Sequence, residues 1–382
     1  MIYPCHNEAG GIGQCVGRAM DALRGAGLDG EVVVIDNASS DGSAGIAAGH
    51  GARVIHEPSK GYGFAVRRGL SEARGETIVM LDADGTYPEE MIPDFVREVR
   101  ERGADLVCGN RFGCAAGPQA MPWLNRHLGN PLLSTMARWV FKVPLRDIHC
   151  GMRAMRRTAV GAMRLRASGM ELATEMIVKA SDRNLRVSEI AIPYRPRIGT
   201  SKLRRFRDGW RHVEYMLVLS PTVFLLWPGL ALLAVGCAIQ VLLVAGPRDV
   251  LFRTWDVHTN LAGLAASLVG ATMIGLAFVN IALARLLDLP SRHSPMARRI
   301  AAWGEGPLRA IGVTVALSGL AAWALVLVRW LASGFGALSA IPVLTLATSL
   351  LVAGLEWLTA AFLARMIQDY EGASRAPRDD GR

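Results

Sequence analysis

The sequence predicts an α/β domain with a mostly parallel sheet, followed by an all-α membrane domain of four helices. The first half mixes polar and apolar residues, as a soluble domain with a core does, whereas long uncharged runs dominate from Leu217 onward. Within the first half, segments typical of strands alternate with segments typical of helices, which indicates a doubly wound, mostly parallel sheet. At 382 residues the chain is long enough for two domains.

The elements of the first domain follow from the spacing of apolar residues. They recur at helical spacing over Ile12–Leu23, and Glu31–Asp36 is a short apolar run that ends in a carboxylate. The same reasoning predicts strands at Arg53–His56, Thr77–Leu81 and Asp105–Gly109, and helices to about His50, to about Ala73, and over Glu89–Arg102 and Gly169–Ala180. Sites in such sheets lie at the carboxyl ends of the strands. Asp36, Asp82 with Asp84, and Asn110 with Arg111 all fall at such ends.

Two carboxylates one residue apart, Asp82 and Asp84, follow the apolar strand Thr77–Leu81 directly. Neighbouring negative charges at the end of a buried strand cost desolvation energy and repel each other. A divalent cation relieves both costs, because Mg²⁺ and Mn²⁺ take carboxylate oxygens and usually share phosphate oxygens of a substrate. An ordinary turn after a strand is the alternative, since Asp is common in turns.

Four long apolar runs occupy the second half. Leu217–Ala245 carries no charge over 29 residues, Leu261–Ala284 none over 24, and Ala310–Val328 none over 19. Ile341–Ala364 is interrupted only by Glu356, which is either a functional carboxylate or, as we favour, pairs with a neighbouring helix or reaches the interface. About 20 apolar residues span a bilayer, so these runs predict four membrane helices.

Basic residues predict the orientation of these helices. Arg285–Arg309 contains five arginines, whereas Ser333–Ala340 has no Lys or Arg, and basic residues favour cytoplasmic loops. We therefore expect an integral membrane protein with its first domain and its tail in the cytoplasm. Arg195–Arg211 has seven Lys or Arg against one Asp, and such basicity beside a membrane attracts anionic headgroups or an anionic lipid substrate. We expect membrane lipids as partners, and no nucleic acid.

The six cysteines are scattered and form no C-x-x-C pair. This pattern predicts a reduced cytosolic domain without disulfides or structural zinc.

Five motifs occur in the first domain in a recognisable order. They are Pro4-x-x-Asn7-Glu8, Asp36-Asn-Ala-Ser-Ser-Asp41-Gly42-Ser43, Lys60-Gly61-Tyr62-Gly63, Asp82-Ala-Asp84-Gly-Thr-Tyr-Pro88 and Gly109-Asn110-Arg111. Together they resemble family 2 glycosyltransferases, which have the Rossmann-like GT-A fold. Arg146-Asp147-Ile-His-Cys-Gly151-Met-Arg153, Glu171-Leu-Ala-Thr-Glu175 and Arg197-Ile-Gly-Thr-Ser201-Lys202-Leu203 are similar to the polyprenyl-phosphate branch, which includes dolichol-phosphate mannose and glucose synthases. The resemblance covers about residues 1–215.

The resemblance implies a donor site for a nucleotide-diphosphate sugar that is GDP- or UDP-linked. The residues that would bind the nucleotide are Pro4, Asn7, Glu8, Asp36, Lys60, Gly61 and Asp82. Asp82 and Asp84 would hold Mg²⁺ or Mn²⁺, with Asp84 as the direct ligand of the diphosphate-bound metal. Some members carry a Gln where this chain has Thr86, so the third metal ligand is expected to be weaker or water-mediated. The structural alternative for Asp36 is a helix cap or a turn residue.

The resemblance implies a polyprenyl phosphate as the acceptor. Its phosphate has a second pKa of about 6 and is largely dianionic at neutral pH, so a strong general base is not required. Asp147 matches a catalytic position of the family, for which we favour a positioning or electrostatic role over proton abstraction. The candidates for binding the acceptor phosphate are Arg111, Arg153, Arg197, Ser201 and Lys202, and Arg111 is grouped with Asp84 and Asp147 as catalytic. Glu171 and Glu175 either line the sugar site or pair with these arginines.

The predicted function is inverting, metal-dependent transfer of a sugar to polyprenyl phosphate at the cytoplasmic membrane face. A processive polysaccharide synthase on the same fold is one alternative. Such enzymes typically carry Q-x-x-R-W, whereas Thr135 stands in place of Gln before Arg138-Trp139. A non-catalytic membrane protein that binds or flips lipid-linked sugar is the other alternative, and the intact Asp82/Asp84 pair argues against it.

The predicted domains are a glycosyltransferase domain at 1–203, a basic amphipathic segment at 204–216, four membrane helices in 217–366 and a polar cytoplasmic tail at 367–382. Members of the family open with a full strand before the first motif, whereas three residues precede Pro4 here. We therefore expect a truncated or differently placed start. A homo-oligomer is left open.

Overall fold

The structure is a computed structural model in which two compact units, Met1–Met216 and Leu217–Arg382, divide the chain. It describes residues 1–114, 125–141, 143–199, 210, 212–216, 219–250, 252–286, 295–335 and 340–375. The first unit is an α/β domain and the second is helical, so the predicted fold class is confirmed.

A seven-stranded sheet forms the centre of the first unit. In chain order the strands are β1 (Ile2–Cys5), β2 (Val33–Asp36), β3 (Arg53–His56), β4 (Thr77–Met80), β5 (Leu106–Asn110), β6 (Arg153–Arg156) and β7 (Val187–Ala191). They lie in the order β3-β2-β1-β4-β6-β5-β7. All neighbours pair in parallel except β6, which runs antiparallel between β4 and β5. The sheet is therefore mostly parallel, and β1, β2 and β4 end at one edge.

Helices cover this sheet. In chain order they are α1 (Ile12–Gly25), α2 (Ser43–Gly49), α3 (Tyr62–Glu72), α4 (Ile92–Arg100), α5 (Asn130–Phe141), α6 (Arg157–Met163) and α7 (Leu172–Asp182). The helix expected over Glu89–Arg102 is divided into a 3-10 turn, Glu89–Met91, and α4. Pro93 stands in the first turn of α4, where its missing N–H leaves no helix hydrogen bond unmade.

The core of this unit lies between the sheet and the helices α1 and α4. Tyr3, Ile12, Val34, Leu81 and Phe95 are buried there without measurable exposure. Burial of such side chains contributes roughly 1.5–3 kcal/mol each, which holds the strand ends in fixed positions.

The second unit contains α8 (Trp227–Leu243), a hairpin of β8 (Arg248–Val250) and β9 (Arg253–Trp255), α9 (Val257–Leu286), α10 (Pro295–Trp303), α11 (Gly306–Ala332) and α12 (Ile341–Arg375). Four segments are long and apolar enough to cross a membrane: Thr222–Leu243, Val257–Leu286, Gly306–Ala332 and Ile341–Tyr370. They match the four predicted spans. The sequence did not predict the hairpin or α10.

Small residues bring the long apolar helices together. A Cβ on Gly236 would lie 2.5 Å from the backbone nitrogen of Ser267, and one on Gly354 would lie 2.3 Å from that of Ala316. Such close approach is typical of helix packing in lipid. Polar contacts add to it, since Thr272 Oγ1 of α9 donates to Glu356 Oε1 of α12 at 2.9 Å. Glu356 therefore pairs with a neighbouring helix, as we favoured.

Gly63 in α3 tests the close packing of the first unit. Its Cβ position lies 2.3 Å from the carbonyl oxygen of Ala167, so we expect Gly63→Ala to destabilise the fold by about 1–3 kcal/mol. Gly45→Ala in α2 is the matched control, because nothing lies within 4 Å of its Cβ position, and it should be neutral or stabilising by about 0.5–1 kcal/mol. Thermal unfolding of the full chain in detergent measures both. Equal effects of the two variants would contradict the packing described for Gly63.

Candidate active site

The loops after β1, β2 and β4 meet at one edge of the sheet, because these strands are parallel neighbours. Glu8 lies in the first loop, Asp36 ends β2, and Asp82 and Asp84 follow β4. The structure thus places Asp36, Asp82 and Asp84, which the sequence placed at strand ends, at one edge together with Glu8.

Hydrogen bonds tie the first loop to the second. Asn7, in a left-handed conformation (φ 54°), accepts a hydrogen bond from the Ser40 backbone N–H at 2.7 Å. The Glu8 backbone N–H donates to Ser43 Oγ at 2.9 Å, and that of Ala9 donates to Asp41 Oδ2 at 2.9 Å. Asn7 therefore shapes the site by joining two loops, and Pro4 lies within β1 opposite Ile35.

Asp36 is fixed at the end of β2 and is 5% exposed. One carboxylate oxygen accepts from the Ser39 backbone N–H at 3.2 Å, and the other lies 3.0 Å from His56 Nδ1. Asp36 thus accepts a hydrogen bond within the turn that follows β2, and His56 contacts it from the end of β3. Sequence reasoning missed His56, although it ends the neighbouring strand β3.

Asn37 holds the loop that carries Lys60 and Gly61. Its amide donates to the carbonyl oxygens of Glu57 at 3.1 Å and Ser59 at 2.7 Å, and its carbonyl accepts from the Gly61 backbone N–H at 2.8 Å. Sequence reasoning also missed the buried Asn37. Asn is common in turns, so its presence in a turn does not reveal that it holds a second loop. Lys60 is exposed on the loop that Asn37 supports.

Asp82 lies among groups that pack closely around its carboxylate. Tyr62 Oη donates to Asp82 Oδ1 at 3.2 Å, and a Cβ on Gly151 would lie 2.4 Å from Asp82 Oδ2. Desolvation at this partly buried position and the nearby charge of Asp84 raise the pKa of Asp82 well above its usual range. A side chain at position 151 would therefore displace the Asp82 carboxylate, and Gly151 leaves it room.

Asp84 is held from two sides. Thr86 Oγ1 donates to Asp84 Oδ1 at 2.6 Å, and the Thr86 backbone N–H donates to the same oxygen at 3.1 Å. Arg197 Nη1 lies 3.1 Å from the other oxygen, Oδ2, and Arg197 Nη2 forms an ion pair with Glu8. Thr86, where some relatives carry Gln, thus orients Asp84.

The acidic pair fits a hard divalent cation. Among the described residues no group of three or more His, Cys, Asp or Glu side chains is gathered as a complete metal site. Two carboxylates suit Mg²⁺ or Mn²⁺, which complete their coordination with water and substrate phosphates instead of an all-protein cage. The raised pKa of Asp82 points the same way, since a cation beside the pair removes the cost of its negative charge.

Arg111 and Asp147 form a buried ion pair. Arg111 Nε and Nη2 donate to the two carboxylate oxygens at 2.7 and 2.8 Å. Asp147 has no exposed surface, and Arg111 is 8% exposed with its guanidinium 5.2 Å from the ring centroid of Tyr194. This bidentate geometry gives Asp147 the task of holding Arg111, and leaves it poorly placed to remove a proton.

Arg153 does not lie where a phosphate could reach it. Its side chain is 1% exposed and donates to the carbonyl oxygens of Cys150 at 3.0 Å, Ala173 at 2.8 Å and Ile148 at 2.7 Å. The expectation that Arg153 binds the acceptor phosphate is therefore corrected, because burial against the backbone makes it a support for the loop that carries Asp147.

Glu175 has a similar supporting role. It has no exposed surface, lies 2.8 Å from Lys179 Nζ, and accepts from the backbone N–H groups of Arg166 and Ala167. The loop it holds packs on α3, since the Gly63 N–H donates to Ser168 O at 2.9 Å. Glu171 accepts from the Gly169 N–H at 2.8 Å. Ser201 and Lys202 lie outside the described residues.

The chain is similar to a known protein family and to several known proteins. A family model described as glycosyl transferase family 2 matches residues 1–163. The low-salt glycan biosynthesis hexosyltransferase Agl6 of Haloferax volcanii is 36% identical over 364 residues, which cover 95% of this chain and 87% of that protein. The dolichyl-phosphate hexose transferase of the same organism is 35% identical over 179 residues, 47% of this chain and 76% of the relative.

Among solved structures, glucosyl-3-phosphoglycerate synthase from Mycobacterium tuberculosis with phosphoglyceric acid is 19% identical, with a TM-score of 0.46. That match covers 56% of this chain and 77% of the other. A likeness this distant carries no argument about the site.

Removing Asp147 tests the buried ion pair. We expect Asp147→Ala to destabilise the protein by about 3–5 kcal/mol, because it leaves the buried charge of Arg111 unpaired. The control is Asp21→Ala, which breaks the exposed Asp21–Arg24 pair and should change stability by less than about 0.5 kcal/mol. Denaturant unfolding measures both, and a cost of Asp147→Ala no larger than the control would contradict the described pairing.

Proposed function

The chain belongs to glycosyltransferase family 2, and we propose that it transfers a sugar from a nucleotide-diphosphate sugar to polyprenyl phosphate at the cytoplasmic face of a membrane. The observation that carries this proposal is the acidic Asp82/Asp84 edge, where Arg197 pairs with Asp84 and the charge of Arg111 acts on Asp82, in a chain with four apolar helices. The similarity to a relative named dolichyl-phosphate hexose transferase supports the same acceptor class.

On the donor side, Asp82 and Asp84 would hold Mg²⁺ or Mn²⁺. The cation supplies positive charge where the leaving nucleoside diphosphate becomes more negative, a stabilisation of several kcal/mol. Thr86 keeps Asp84 oriented for this task. Pro4, Asn7, Glu8, Asp36, Lys60 and Gly61 form the surrounding nucleotide pocket, either through their own groups or by shaping its loops.

On the acceptor side, a lipid phosphate needs cations that bind it without blocking its attack. Arg111 is held for this by Asp147, whose two oxygens occupy Nε and Nη2. Ser201 and Lys202 follow Arg197 in the sequence, just before a basic run that precedes the first apolar helix. We include Arg197, Ser201 and Lys202 with Arg111 in the phosphate-binding set, and leave Arg153 out.

The reaction is a single in-line displacement. The lipid phosphate oxygen forms a bond to the anomeric carbon, and the bond from that carbon to the diphosphate oxygen breaks. The configuration of the sugar is therefore inverted. No proton has to be removed from a dianionic phosphate, which agrees with Asp147 being engaged by Arg111.

The basic Arg285–Arg309 segment supports a cytoplasmic position for the first unit.

Radiolabelled transfer tests the proposal. The full chain in lipid nanodiscs is incubated with UDP- or GDP-linked sugars and polyprenyl phosphate, and we expect labelled lipid that disappears with EDTA and returns with Mg²⁺ or Mn²⁺. Asp84→Asn should lower turnover at least about 100-fold, since a metal ligand is lost. Asp94→Asn, in the exposed Asp94–Arg97 pair, should leave turnover unchanged. Activity that resists EDTA, or no lipid product with any donor, would refute the proposal.

Substitution of Lys202 distinguishes binding of the acceptor from the chemical step. We expect Lys202→Ala to raise the KM for polyprenyl phosphate about tenfold and to leave the KM for the donor unchanged, because one cation facing the acceptor phosphate is lost. Arg100→Ala, on the exposed end of α4, is the control of equal charge change. If acceptor saturation does not change in Lys202→Ala, Lys202 does not contact the acceptor.

A further inference from the structure

Arg197 bridges two carboxylates of the candidate active site. Its Nη2 pairs with Glu8 and its Nη1 lies 3.1 Å from Asp84 Oδ2. The side chain is 24% exposed, yet its Nε is buried and makes no hydrogen bond within the described part of the chain. A buried donor without a partner is costly, so this guanidinium has a binding capacity that the resting contacts do not use.

The backbone that carries Arg197 is fixed across the loop of the acidic pair. The Arg195 N–H donates to Thr86 O at 3.0 Å, and the Ile198 N–H donates to Asp84 O at 2.9 Å. Ile198 packs over Gly85, where a Cβ would lie 2.7 Å from Ile198 Cδ1 and where φ is +73°. Any movement of the Arg197 charge therefore takes place in its long side chain, while the backbone stays in place.

The charges of the site explain why Arg197 lies there. Glu8, Asp82 and Asp84 are gathered at one edge of the sheet, and Arg197 pairs directly with two of them. A guanidinium on Asp84 Oδ2 and a divalent cation on the same carboxylate repel each other strongly at such short range. The two cations therefore compete for Asp84.

We propose that the Arg197 guanidinium pairs with Asp84 and Glu8 before the donor binds, and that a divalent cation replaces it at Asp84 when the donor binds. The guanidinium then turns from Asp84 to the donor diphosphate. This inference rests on the proposed function and deepens it. Arg197 acts as a positioning residue before the donor binds, because it keeps Asp84 aligned without metal. It contacts substrate afterwards, when its unused Nε–H and the released Nη1 face phosphate oxygens.

Two opposite effects follow from this exchange. A divalent cation alone must displace Arg197 without any gain elsewhere, so the resting site binds it weakly. A cation together with a nucleoside diphosphate displaces Arg197 but offers it phosphate oxygens, so the pair binds well. The site thus favours the metal–diphosphate complex over the free metal.

Titration of Mn²⁺ followed by the electron paramagnetic resonance signal of free Mn²⁺ tests the exchange. The full chain in nanodiscs is titrated alone and with saturating UDP or GDP. We expect Arg197→Gln to tighten binding of Mn²⁺ alone about tenfold and to weaken binding of Mn²⁺ with the diphosphate about tenfold, the size of one charge-assisted hydrogen bond. Arg197→Lys, which keeps the charge, should stay within about twofold of the natural chain for Mn²⁺ alone.

Arg195→Gln is the matched control, since Arg195 lies on the same segment but pairs with Glu89 and Glu90. It should change neither affinity. The inference is overturned if Arg197→Gln binds Mn²⁺ alone no more tightly than the natural chain does, while the natural chain binds Mn²⁺ through Asp84. The proposed function would then still stand. If neither the natural chain nor Asp84→Asn binds Mn²⁺ with either diphosphate, this inference and the proposed function are both overturned. Circular dichroism confirms that each variant is folded.

Discussion

The negative charge at the end of β4 is the constraint on which the rest of the site depends. Asp82 and Asp84 follow a buried strand, and desolvation together with their mutual repulsion raises the pKa of Asp82. The protein keeps this charge in place with short-range partners, since Tyr62 donates to Asp82 and Thr86 to Asp84. A site that holds such charge favours a cation that arrives together with a nucleoside diphosphate, and displacement of that diphosphate requires such a cation.

Around this edge the protein separates fixed charges from an exchangeable one. Arg111–Asp147 and Glu175–Lys179 are fully paired and almost without exposure. Breaking either pair leaves an uncompensated buried charge, so each pair holds its loop rigidly. Arg197 differs, because it is partly exposed, is shared between two carboxylates, and has a buried Nε without a hydrogen bond in the described structure. The two buried pairs thus hold the surrounding loops in place while a divalent cation can replace the Arg197 guanidinium.

Much of the fold and part of the site could be predicted from the sequence. The alternation of apolar runs identified β2 to β5 to within a few residues, and the parallel sheet then places Asp36, Asp82 and Asp84 at one edge. The strand β6 could not be predicted, because Arg153–Arg156 has no strand-like composition and gains its conformation from pairing with β4 and β5. For the same reason, the sequence suggested that Arg153 binds phosphate, whereas only the three-dimensional fold shows its donors turned to backbone carbonyls.

We propose that Asp82 and Asp84 hold the metal of the leaving diphosphate at the edge where Arg197 now lies. A structure of the full chain with Mn²⁺ and a nucleoside diphosphate, in which anomalous scattering locates the metal, tests this most directly. We expect one Mn²⁺ bound to a carboxylate oxygen of Asp84 and to diphosphate oxygens, at distances of about 2–2.3 Å, with the Arg197 guanidinium moved from Asp84 onto the diphosphate. A metal bound away from Asp84, or an Arg197–Asp84 ion pair that persists beside the bound diphosphate, would contradict it.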